Sequence, residues 1–286
     1  MVKMSISIKL YNKIYKQIDT INNKYTMNFD KLINTNITNI TNNCYDLVKN
    51  TKQELKELGD FCVFEYISFI KNDMDLLYFE ISIYIENDLF LTIPSYIIYD
   101  KSIKIKNNRY IIKLPMDDLI DSNEIYSKIF KDKCNIMIET NNDLDNIKLL
   151  YKTKIIDGNT KKSLDVKLYK LQYKFLKKYS YDEINNILFN DNIFGLYIST
   201  LSLEQLNRIK ITVLSIIHDF DEELINLYCE KINNNICYFQ LNLMSKQNEC
   251  DIKHSIKFNN DHIQIDIEHK HDMFIYVTIY KIIELQ

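Results

Sequence analysis

The chain has 286 residues, with 36 Lys and Arg against 39 Asp and Glu for a formal net charge of −3, and 46% of its residues are hydrophobic. This balance is typical of a folded globular protein, and it lacks the basic excess with which nucleic-acid-binding modules neutralise phosphates. No apolar run reaches the roughly 18 residues of a membrane span and no signal peptide is recognisable, so we expect neither a nucleic-acid partner nor a membrane span.

Residue usage is skewed in a way that also limits the chemistry. Ile, Asn, Lys, Asp and Tyr are abundant, which indicates an AT-rich genome, while the chain has no Trp and 3 Gly. With only Gly59, Gly158 and Gly195 it cannot build a glycine-rich phosphate loop, and the common nucleotide-binding motifs do not occur. Six scattered cysteines without a C-x-x-C pair indicate reduced, mostly buried thiols rather than a disulfide framework or a zinc site.

The first 58 residues differ in pattern from the rest of the chain. Apolar residues recur there at spacings near three and four or their sums: Leu10, Ile14, Ile18, Ile21, Leu47, Val48, Leu55 and Leu58. This spacing is typical of amphipathic helices, and an Asn- and Thr-rich stretch from Asn34 to Asn43 favours turns between them. We therefore predict an N-terminal helical arm over residues 1–58, which either packs on the protein or reaches a partner subunit.

From Phe61 onward the hydrophobic period changes to that of β-strands. The predicted strands are Phe61 to Ile70, Leu76 to Ile85, Leu89 to Ile93, Tyr96 to Tyr99, Ile103 to Ile105, Tyr110 to Leu114, Asn135 to Glu139, Ile147 to Ile156 and Val166 to Phe175. Turn signals recur at intervals of about 8 to 12 residues, which indicates a β-sandwich. Asp117 to Phe130 is the exception, with the pattern of a short helix. We predict a first β-sandwich domain over residues 61–178.

A second set of strands follows a predicted linker helix, Tyr181 to Phe189. These strands are Ile193 to Thr200, Ile209 to Leu214, Ile236 to Asn242, Ile263 to Ile267 and Met273 to Ile283. They predict a second β-sandwich domain over residues 190–286. The expected fold class is therefore mainly β, with two tandem antiparallel β-sandwich domains and an N-terminal helical arm.

The histidines are the first candidates for a metal site, because four of the five lie near the C-terminus. His269 and His271 are two residues apart, so on a strand both side chains would project from one face and could bind a metal. Asp266 or His262 could supply a third ligand. However, charged residues surround the pair, and the segment 268–272 is better explained as a polar hairpin turn. We predict no metal site and no bound cofactor.

The acidic residues Asp219, Asp221, Glu222 and Glu223 form a second candidate cluster, for acid/base chemistry or cation binding. They directly precede the apolar-periodic run Leu224 to Tyr228. Acidic residues at that position cap a helix N-terminus and interact favourably with its dipole. We therefore expect caps rather than catalytic residues, and a protein that is not an enzyme.

The order of elements in the last third of the chain resembles that of one viral family. The segments that carry this resemblance are Phe194-Gly195-Leu196-Tyr197-Ile198, Ile209 to Leu214, Asp221 to Cys229, Lys231 to Asn235, Ile236 to Asn242, Ile256 to Ile267, and Phe274 to Ile283 with Tyr280, Ile282 and Ile283. They resemble the second jelly roll of the double jelly-roll major capsid proteins of nucleocytoplasmic large DNA viruses. The sequence departs from the family pattern because Ile93-Pro94 is followed by no Arg and a Gly-rich C-terminal extension is missing. The resemblance therefore implies a divergent member.

The resemblance implies two jelly-roll-like domains and a structural role. We expect a divergent or minor capsid component of the virion, assembled in the host cytoplasm through contacts with itself or with other capsid proteins. A monomeric β-sandwich that binds a host protein or a glycan is the alternative. A metal-dependent enzyme using the C-terminal histidines is a third hypothesis.

Overall fold

The computed structural model describes residues 37–120, 124–130, 133–165, 169–199, 206, 208–241, 255–267 and 273–285. Its first strands are β1 (Ile37–Leu47), β2 (Gln53–Leu55), β3 (Phe61–Lys71), β4 (Glu80–Ile85), β5 (Asp88–Pro94), β6 (Ile103–Lys106), β7 (Arg109–Lys113), β8 (Ile125–Tyr126), β9 (Cys134–Glu139) and β10 (Leu144–Ile156). The later strands are β11 (Tyr169–Ser180), β12 (Asn192–Ser199), β13 (Arg208–Val213), β14 (Ile216–Asp221), β15 (Cys229–Lys231), β16 (Ile236–Gln240), β17 (Ile256–Lys257), β18 (Ile263–Ile267) and β19 (Phe274–Leu285). The α-helices are α1 (Met116–Leu119), α2 (Gly158–Asp165), α3 (Tyr181–Asn186) and α4 (Glu222–Tyr228), and 3₁₀ turns span Ser95–Ile97, Asp100–Ser102 and Ser127–Phe130.

Strands β1 to β10 form two facing antiparallel sheets. One runs β1-β10-β3-β7, with β6 added beyond β7 and β8 paired to β3, and the other runs β2-β9-β4-β5. If β6 and β8 are left out and the other eight strands are numbered along the chain, the two orders are 1-8-3-6 and 2-7-4-5. This is the strand order of a jelly roll, in which two Greek keys fold into a double sheet. The first half of the chain is therefore a complete jelly roll.

Strands β11 to β19 repeat this order. One sheet runs β11-β19-β12-β16, with β15 beyond β16, and a second runs β14-β13-β18. If β15 and β17 are left out and the other strands are numbered by their jelly-roll positions, the two orders are 1-8-3-6 and 7-4-5. Position 2 is therefore not occupied by a strand. The chain between β11 and β12 forms helix α3, which packs against β18. The second half is a jelly roll with a helix in place of one strand.

A side chain of α3 substitutes for that strand's hydrogen bonds. The amide of Asn185 accepts a hydrogen bond from the Ile265 backbone N–H at 2.7 Å and donates to the Ile265 carbonyl at 3.3 Å. The Tyr181 hydroxyl donates to the same carbonyl at 2.7 Å. Buried backbone groups need such partners, because leaving them unpaired is costly. Asn185 therefore completes the edge of β18 as a neighbouring strand would.

The two rolls share a buried seam along the sheet that contains β12. On β12, Ile193, Leu196 and Ile198 pack into the core of the second roll, whereas Phe194 and Tyr197 join the core of the first. Tyr238 and Tyr276 on the neighbouring strands also face the first roll. This sheet is therefore buried on both faces, which explains why the sequence from Ile193 to Ile198 is a continuous apolar run rather than an alternating one.

Gly195 is required by the packing at this seam. A Cβ atom at this position would lie 2.4 Å from the Tyr238 hydroxyl oxygen and 2.6 Å from the Phe239 carbonyl oxygen. The ring of Tyr238 covers the glycine and packs against Tyr197, with ring centroids 4.5 Å apart. The absence of a side chain at Gly195 thus makes room for the aromatic pair.

The helical prediction for the N-terminal segment is wrong where the structure describes it. Residues 37–47 form β1, which pairs with β10, and residues 53–55 form β2. β1 is an edge strand with most of its side chains in solvent, so its Asn and Thr residues show no alternating pattern. Pairing with β10 overrides the local preference for turns, helped by a hydrogen bond between Asn43 and Thr153 at 3.0 Å. Residues 1–36 of the predicted arm lie outside the described residues.

Two other predicted boundaries also differ from the structure. β11, expected to close the first domain before residue 178, pairs with the C-terminal strand along its full length, from Tyr169 opposite Leu285 to Ser180 opposite Phe274. The single helix expected from Asp117 to Phe130 is wrong, because α1 ends at Leu119 and β8 and a 3₁₀ turn follow. β14 is a strand that the sequence pattern does not predict. The linker helix predicted from Tyr181 to Phe189 is confirmed and ends earlier, at Asn186, and the β-strand class of both halves is confirmed.

The two glycines Gly195 and Gly158 provide a matched test of the seam. We expect Gly195→Ala to lower the free energy of unfolding by about 2 to 3 kcal/mol, because the new methyl group overlaps Tyr238 and the β16 backbone. Gly158→Ala adds a methyl group that meets no atom within 4 Å beyond its chain neighbours and the backbone of its own helix, so it should be neutral or stabilise by up to about 1 kcal/mol. Urea unfolding of both variants would measure this, and equal effects would contradict the packing argument.

Asn185 can be tested against its neighbour. We expect Asn185→Ala to cost about 1 to 3 kcal/mol of unfolding free energy, because it removes two hydrogen bonds to Ile265 and leaves the backbone N–H of that residue unpaired. Asn186→Ala removes one exposed bond to the Asp182 carbonyl and should change stability by no more than about 0.5 kcal/mol. Hydrogen exchange at the Ile265 amide should accelerate in the first variant and not in the second.

Candidate functional site

The structure does not bring the candidate metal ligands together in the region it describes. His262 lies on the surface, where its Nδ1 is 3.0 Å from the Ile187 carbonyl oxygen, and Asp266 is exposed on β18. His269 and His271, with the predicted hairpin turn around them, lie outside the described residues. Among the residues that are described, no three His, Cys, Asp or Glu side chains are grouped as metal ligands.

The acidic cluster divides into a helix cap and an ion pair. The Asp221 carboxylate accepts a hydrogen bond from the Leu224 backbone N–H at 3.0 Å and so caps α4, as the sequence predicts. Glu222 and Glu223 lie in the first turn of this helix and are exposed. Asp219 lies on β14 and binds the Arg208 guanidinium through two hydrogen bonds, which lower the pKa of its carboxyl. These roles are structural.

The thiols follow the sequence prediction where they are described. Cys62, Cys134, Cys229 and Cys237 are buried and unbridged, and Cys44 is exposed. Burial raises the pKa of the Cys62 thiol to about 12, so it stays protonated and unreactive at neutral pH. Cysteine chemistry therefore gives no candidate site among these four buried positions.

A loop between β3 and β4 is the most unusual surface feature of the first roll, and we call residues 72–78 the knob. At its tip the side chain of Met74 is 100% exposed and that of Leu76 is 93% exposed. Contiguous apolar patches left in water mark interaction sites more often than single exposed apolar residues do, and Met74 and Leu76 are two residues apart.

A buried lysine at the end of β3 anchors the base of the knob. The Lys71 side chain, 6% exposed, donates to the carbonyl oxygens of Asp73 at 2.9 Å and Asp75 at 2.5 Å and forms an ion pair with the Asp73 carboxylate. All three ammonium protons thus have acceptors, as a buried charge requires. The bond from Lys71 lowers the pKa of the Asp73 carboxyl below its ordinary value near 3.8.

A second set of bonds anchors the knob from the turn before β10. The Asn142 side chain donates to the Leu76 carbonyl at 3.0 Å and accepts from the Tyr78 N–H at 2.6 Å, and Thr140 donates to the Tyr78 carbonyl at 2.5 Å. The Asp143 N–H also donates to the Asp73 carboxylate at 2.5 Å. The knob is therefore a fixed structure whose backbone is bonded at most of its positions.

Sequence reasoning misses this arrangement. The predicted strand Phe61 to Ile70, which ends beside Lys71, agrees with the structure, but it does not indicate that the loop after it meets the turn before β10. The contact between them spans about 70 residues of sequence, so no local pattern could reveal it. The one local signal for the anchor is that Lys71 ends an apolar strand and Asp73 follows two residues later.

A cavity of about 500 Å³ lies beside the knob, at the seam between the rolls. Its floor is apolar and includes Phe79, Ile98, Ile112, Ile236 and Phe274. We call it the seam cavity. Its lining includes one hydrogen bond between the two rolls, in which the Asn233 amide donates to the Tyr96 carbonyl at 3.0 Å. A second bond between the rolls, from the Tyr99 hydroxyl to Glu230 at 2.7 Å, lies outside the lining.

Solved structures of viral capsid proteins share this architecture. PBCV-1 Vp54, in a crystal structure fitted into a cryo-EM reconstruction of the virophage Sputnik, aligns with a TM-score of 0.53 at 8% identity, over 87% of this chain and 95% of that chain. A chain of a quasi-atomic model of the PBCV-1 virus capsid gives 0.52 at 8% identity, over 86% and 95%. The major capsid protein P2 of bacteriophage PM2 gives 0.47 at 10% identity, over 86% and 98%. No protein-family model and no curated protein matches the sequence.

The two PBCV-1 alignments and the strand order define the fold class as a mainly β double jelly roll. Both PBCV-1 alignments extend over nearly the whole of the other chain, so they include both rolls and their arrangement. The resemblance first seen in the last third of the sequence is thus confirmed at the level of the fold for both halves. In the described residues, none of the helices has the length and apolar composition needed to cross a membrane.

The anchor of the knob predicts a dependence of stability on acid. Because the pKa of Asp73 is lowered in the folded state, the Asp73 carboxylate stabilises the protein above its unfolded pKa of about 3.9, and this contribution is lost as the pH falls below that value. We expect Asp73→Asn to reduce stability at pH 7 and to flatten the loss of stability below about pH 4. Urea unfolding from pH 3 to pH 7 would measure both.

Asp75→Asn is the matched control, because the Asp75 side chain forms no hydrogen bond or ion pair within the described residues. Hydrogen exchange in residues 72–78 should accelerate in Asp73→Asn and stay at the wild-type rate in Asp75→Asn. If the Asp73→Asn variant loses unfolding free energy below about pH 4 as steeply as wild type, the proposed anchor is contradicted.

Proposed function

We propose that this chain is a structural protein of a virion, a divergent or minor capsid component that acts through contacts between subunits rather than by catalysis. The observation that carries the proposal is the double jelly roll, with both rolls fused along one seam. A subunit of a shell must keep its shape while its neighbours press on it. A sheet that is buried on both faces resists such deformation. The similar chain in the PBCV-1 virus capsid model supports the same role.

The surface of the protein suits such a role. Apolar side chains are exposed on ordered elements in both rolls, including Met74 and Leu76 on the knob and Ile216 and Ile217 on β14. β14 is also the terminal strand of its sheet, so among the described residues no strand pairs with its outer side. Edge strands and exposed apolar residues are sites where further chains bind. We propose contacts with copies of this chain or with other capsid proteins.

The thiols fit assembly in a reducing compartment such as the cytoplasm of a host cell. Four described cysteines are buried as free thiols in a protein without a described disulfide. Chains that mature in an oxidising compartment usually use cysteines in disulfides. This supports the proposal that the protein folds and assembles in the host cytoplasm before it enters the virion.

The proposal predicts association in solution and presence in particles. We expect the purified full-length protein to form oligomers or ordered arrays as its concentration rises, measured by light scattering with size-exclusion chromatography and by electron microscopy. Mass spectrometry of purified virions should detect it at a fixed ratio to the other capsid proteins. A protein that stays monomeric at high concentration and is absent from virions would contradict the proposal and support a monomeric module for a host protein or glycan.

A further inference from the structure

We propose that the seam cavity binds a small amphiphilic cation, an organic ammonium ion attached to an apolar body. The proposal goes beyond the structural role and does not depend on it. It rests on three properties of the cavity: an apolar floor supplied by both rolls, a wall of aromatic rings that already contacts one ammonium group, and an exposed carboxylate in a lining whose described residues include no Lys or Arg.

The cavity can hold the apolar body of a small molecule. Its volume of about 500 Å³ lies within the range of about 300 to 1,000 Å³ that is typical of small-molecule sites. Its floor takes Phe79 and Ile112 from the first roll and Ile236 from the second, and all three side chains are buried. An apolar chain in the cavity would therefore leave water and contact both rolls.

The serine hydroxyls that line the cavity are already bonded within the protein. The Ser199 hydroxyl donates to the Phe274 carbonyl at 3.0 Å and accepts from the Phe274 N–H at 2.9 Å. The Ser95 hydroxyl accepts from the Phe79 N–H at 3.2 Å. An apolar body breaks none of these bonds, whereas a ligand with many hydroxyl groups, such as a sugar, would need further polar partners for each of them.

Three aromatic rings of the lining form a contiguous wall. The ring centroid of Tyr96 lies 5.3 Å from that of Tyr78 and 4.5 Å from that of Phe274. The face of an aromatic ring attracts cations, and clustered rings recognise organic ammonium ions in proteins. The protein already uses this attraction, because the Lys178 ammonium lies 4.5 Å from the Phe274 centroid and 5.8 Å from the Tyr78 centroid. Lys178 does not line the cavity, so the ring surface facing the cavity stays open to a ligand cation.

Asp100 gives the lining its charge. This residue is exposed, and its carboxylate forms no hydrogen bond or ion pair with any other described residue. The next residue, Lys101, does not neutralise it, because the Lys101 ammonium lies over the Tyr99 ring, 5.1 Å from the centroid, and neither residue belongs to the lining. A cationic ligand would supply the charge that Asp100 lacks, and an anionic ligand would be repelled.

The one lysine near the aromatic wall has acidic neighbours of its own. Burial and the adjacent Glu139 raise the pKa of the Glu80 carboxyl, and the positive charge of Lys178 opposes this rise. Burial, followed by the charge of Glu80, raises the pKa of Tyr78 to about 12. The charge of Lys178 is therefore offset on the side of Glu80, and the cavity keeps its preference for a cation.

Ligands that share one apolar body and differ in head group test the proposal. The full chain is titrated at pH 7 by isothermal calorimetry with octylammonium, octanol and octanoate, each below the concentration at which it forms micelles. We expect one octylammonium ion to bind per chain, about threefold to tenfold more tightly than octanol, with octanoate the weakest. Octylammonium should also raise the midpoint of thermal unfolding, because it binds the folded chain. Equal binding of the three ligands, a preference for octanol or octanoate, or no saturable binding would overturn the proposal.

Matched variants show whether the cation binds in the cavity. Asp100→Lys should reverse the order, so that octanoate binds more tightly than octylammonium. Tyr96→Leu should weaken octylammonium by about threefold or more and leave octanol within about twofold, because it removes a ring face and keeps an apolar side chain. Two control variants should bind like wild type. Asp88→Lys reverses an exposed charge at the β4–β5 turn, and Tyr84→Leu removes a ring that faces Lys52 at 4.0 Å outside the cavity.

Thermal unfolding of each variant checks that it is folded. Because Asp100 is exposed and its carboxylate is unbonded among the described residues, Asp100→Lys should unfold within a few degrees of wild type and decides the test even if Tyr96→Leu is unstable. An unchanged ligand order in Asp100→Lys, or unchanged octylammonium binding in a folded Tyr96→Leu variant, would overturn the proposal. Either result leaves the structural role intact, since that role is tested by self-association and by presence in virions.

Discussion

The structure depends on one sheet that is buried on both faces. β12, β16 and β19 separate the two cores, so each of their buried side chains must suit one core or the other. This condition leaves no polar face on β12, and it makes the close approach of Tyr238 to Gly195 unavoidable. This sheet belongs to the second roll, and its outer face packs into the core of the first roll. A shift of one roll relative to the other would therefore expose buried side chains on that face.

Two features of the structure, the knob and the edge of β18, depend on hydrogen bonds made by single polar side chains. A buried lysine is costly unless all its protons are bonded, and Lys71 meets that condition by binding the loop that follows its own strand. The bonding that removes this cost also fixes Met74 and Leu76 in solvent. Similarly, Asn185 supplies hydrogen bonds to Ile265 at the place where the second roll lacks a strand. In both cases one side chain makes the hydrogen bonds to backbone groups that another backbone segment would make elsewhere in the fold.

The candidate site is less accessible to sequence reasoning than the fold. The cap prediction is confirmed for Asp221, because a cap involves neighbours in sequence and Asp221 binds the backbone three residues ahead. It is wrong for Asp219, which pairs with Arg208 on a neighbouring strand. The knob and the seam cavity escape prediction because they join residues from distant parts of the chain, such as Tyr96 and Asn233. The N-terminal prediction fails for a related reason, since β1 is specified by its partner β10 and not by its own pattern.

The sequence by itself determined the mainly β class, most strand positions and the resemblance of the last third to a viral jelly roll, because alternation and turn residues are local signals. It also determined that the chain is poor in glycine and has no strong basic excess. The tertiary structure alone decided that β1 is a strand, that β11 belongs with the C-terminal strand, and that the exposed knob adjoins a cavity. These features are contacts between residues far apart in sequence, and their free energy arises only when the folded chain brings the partners together.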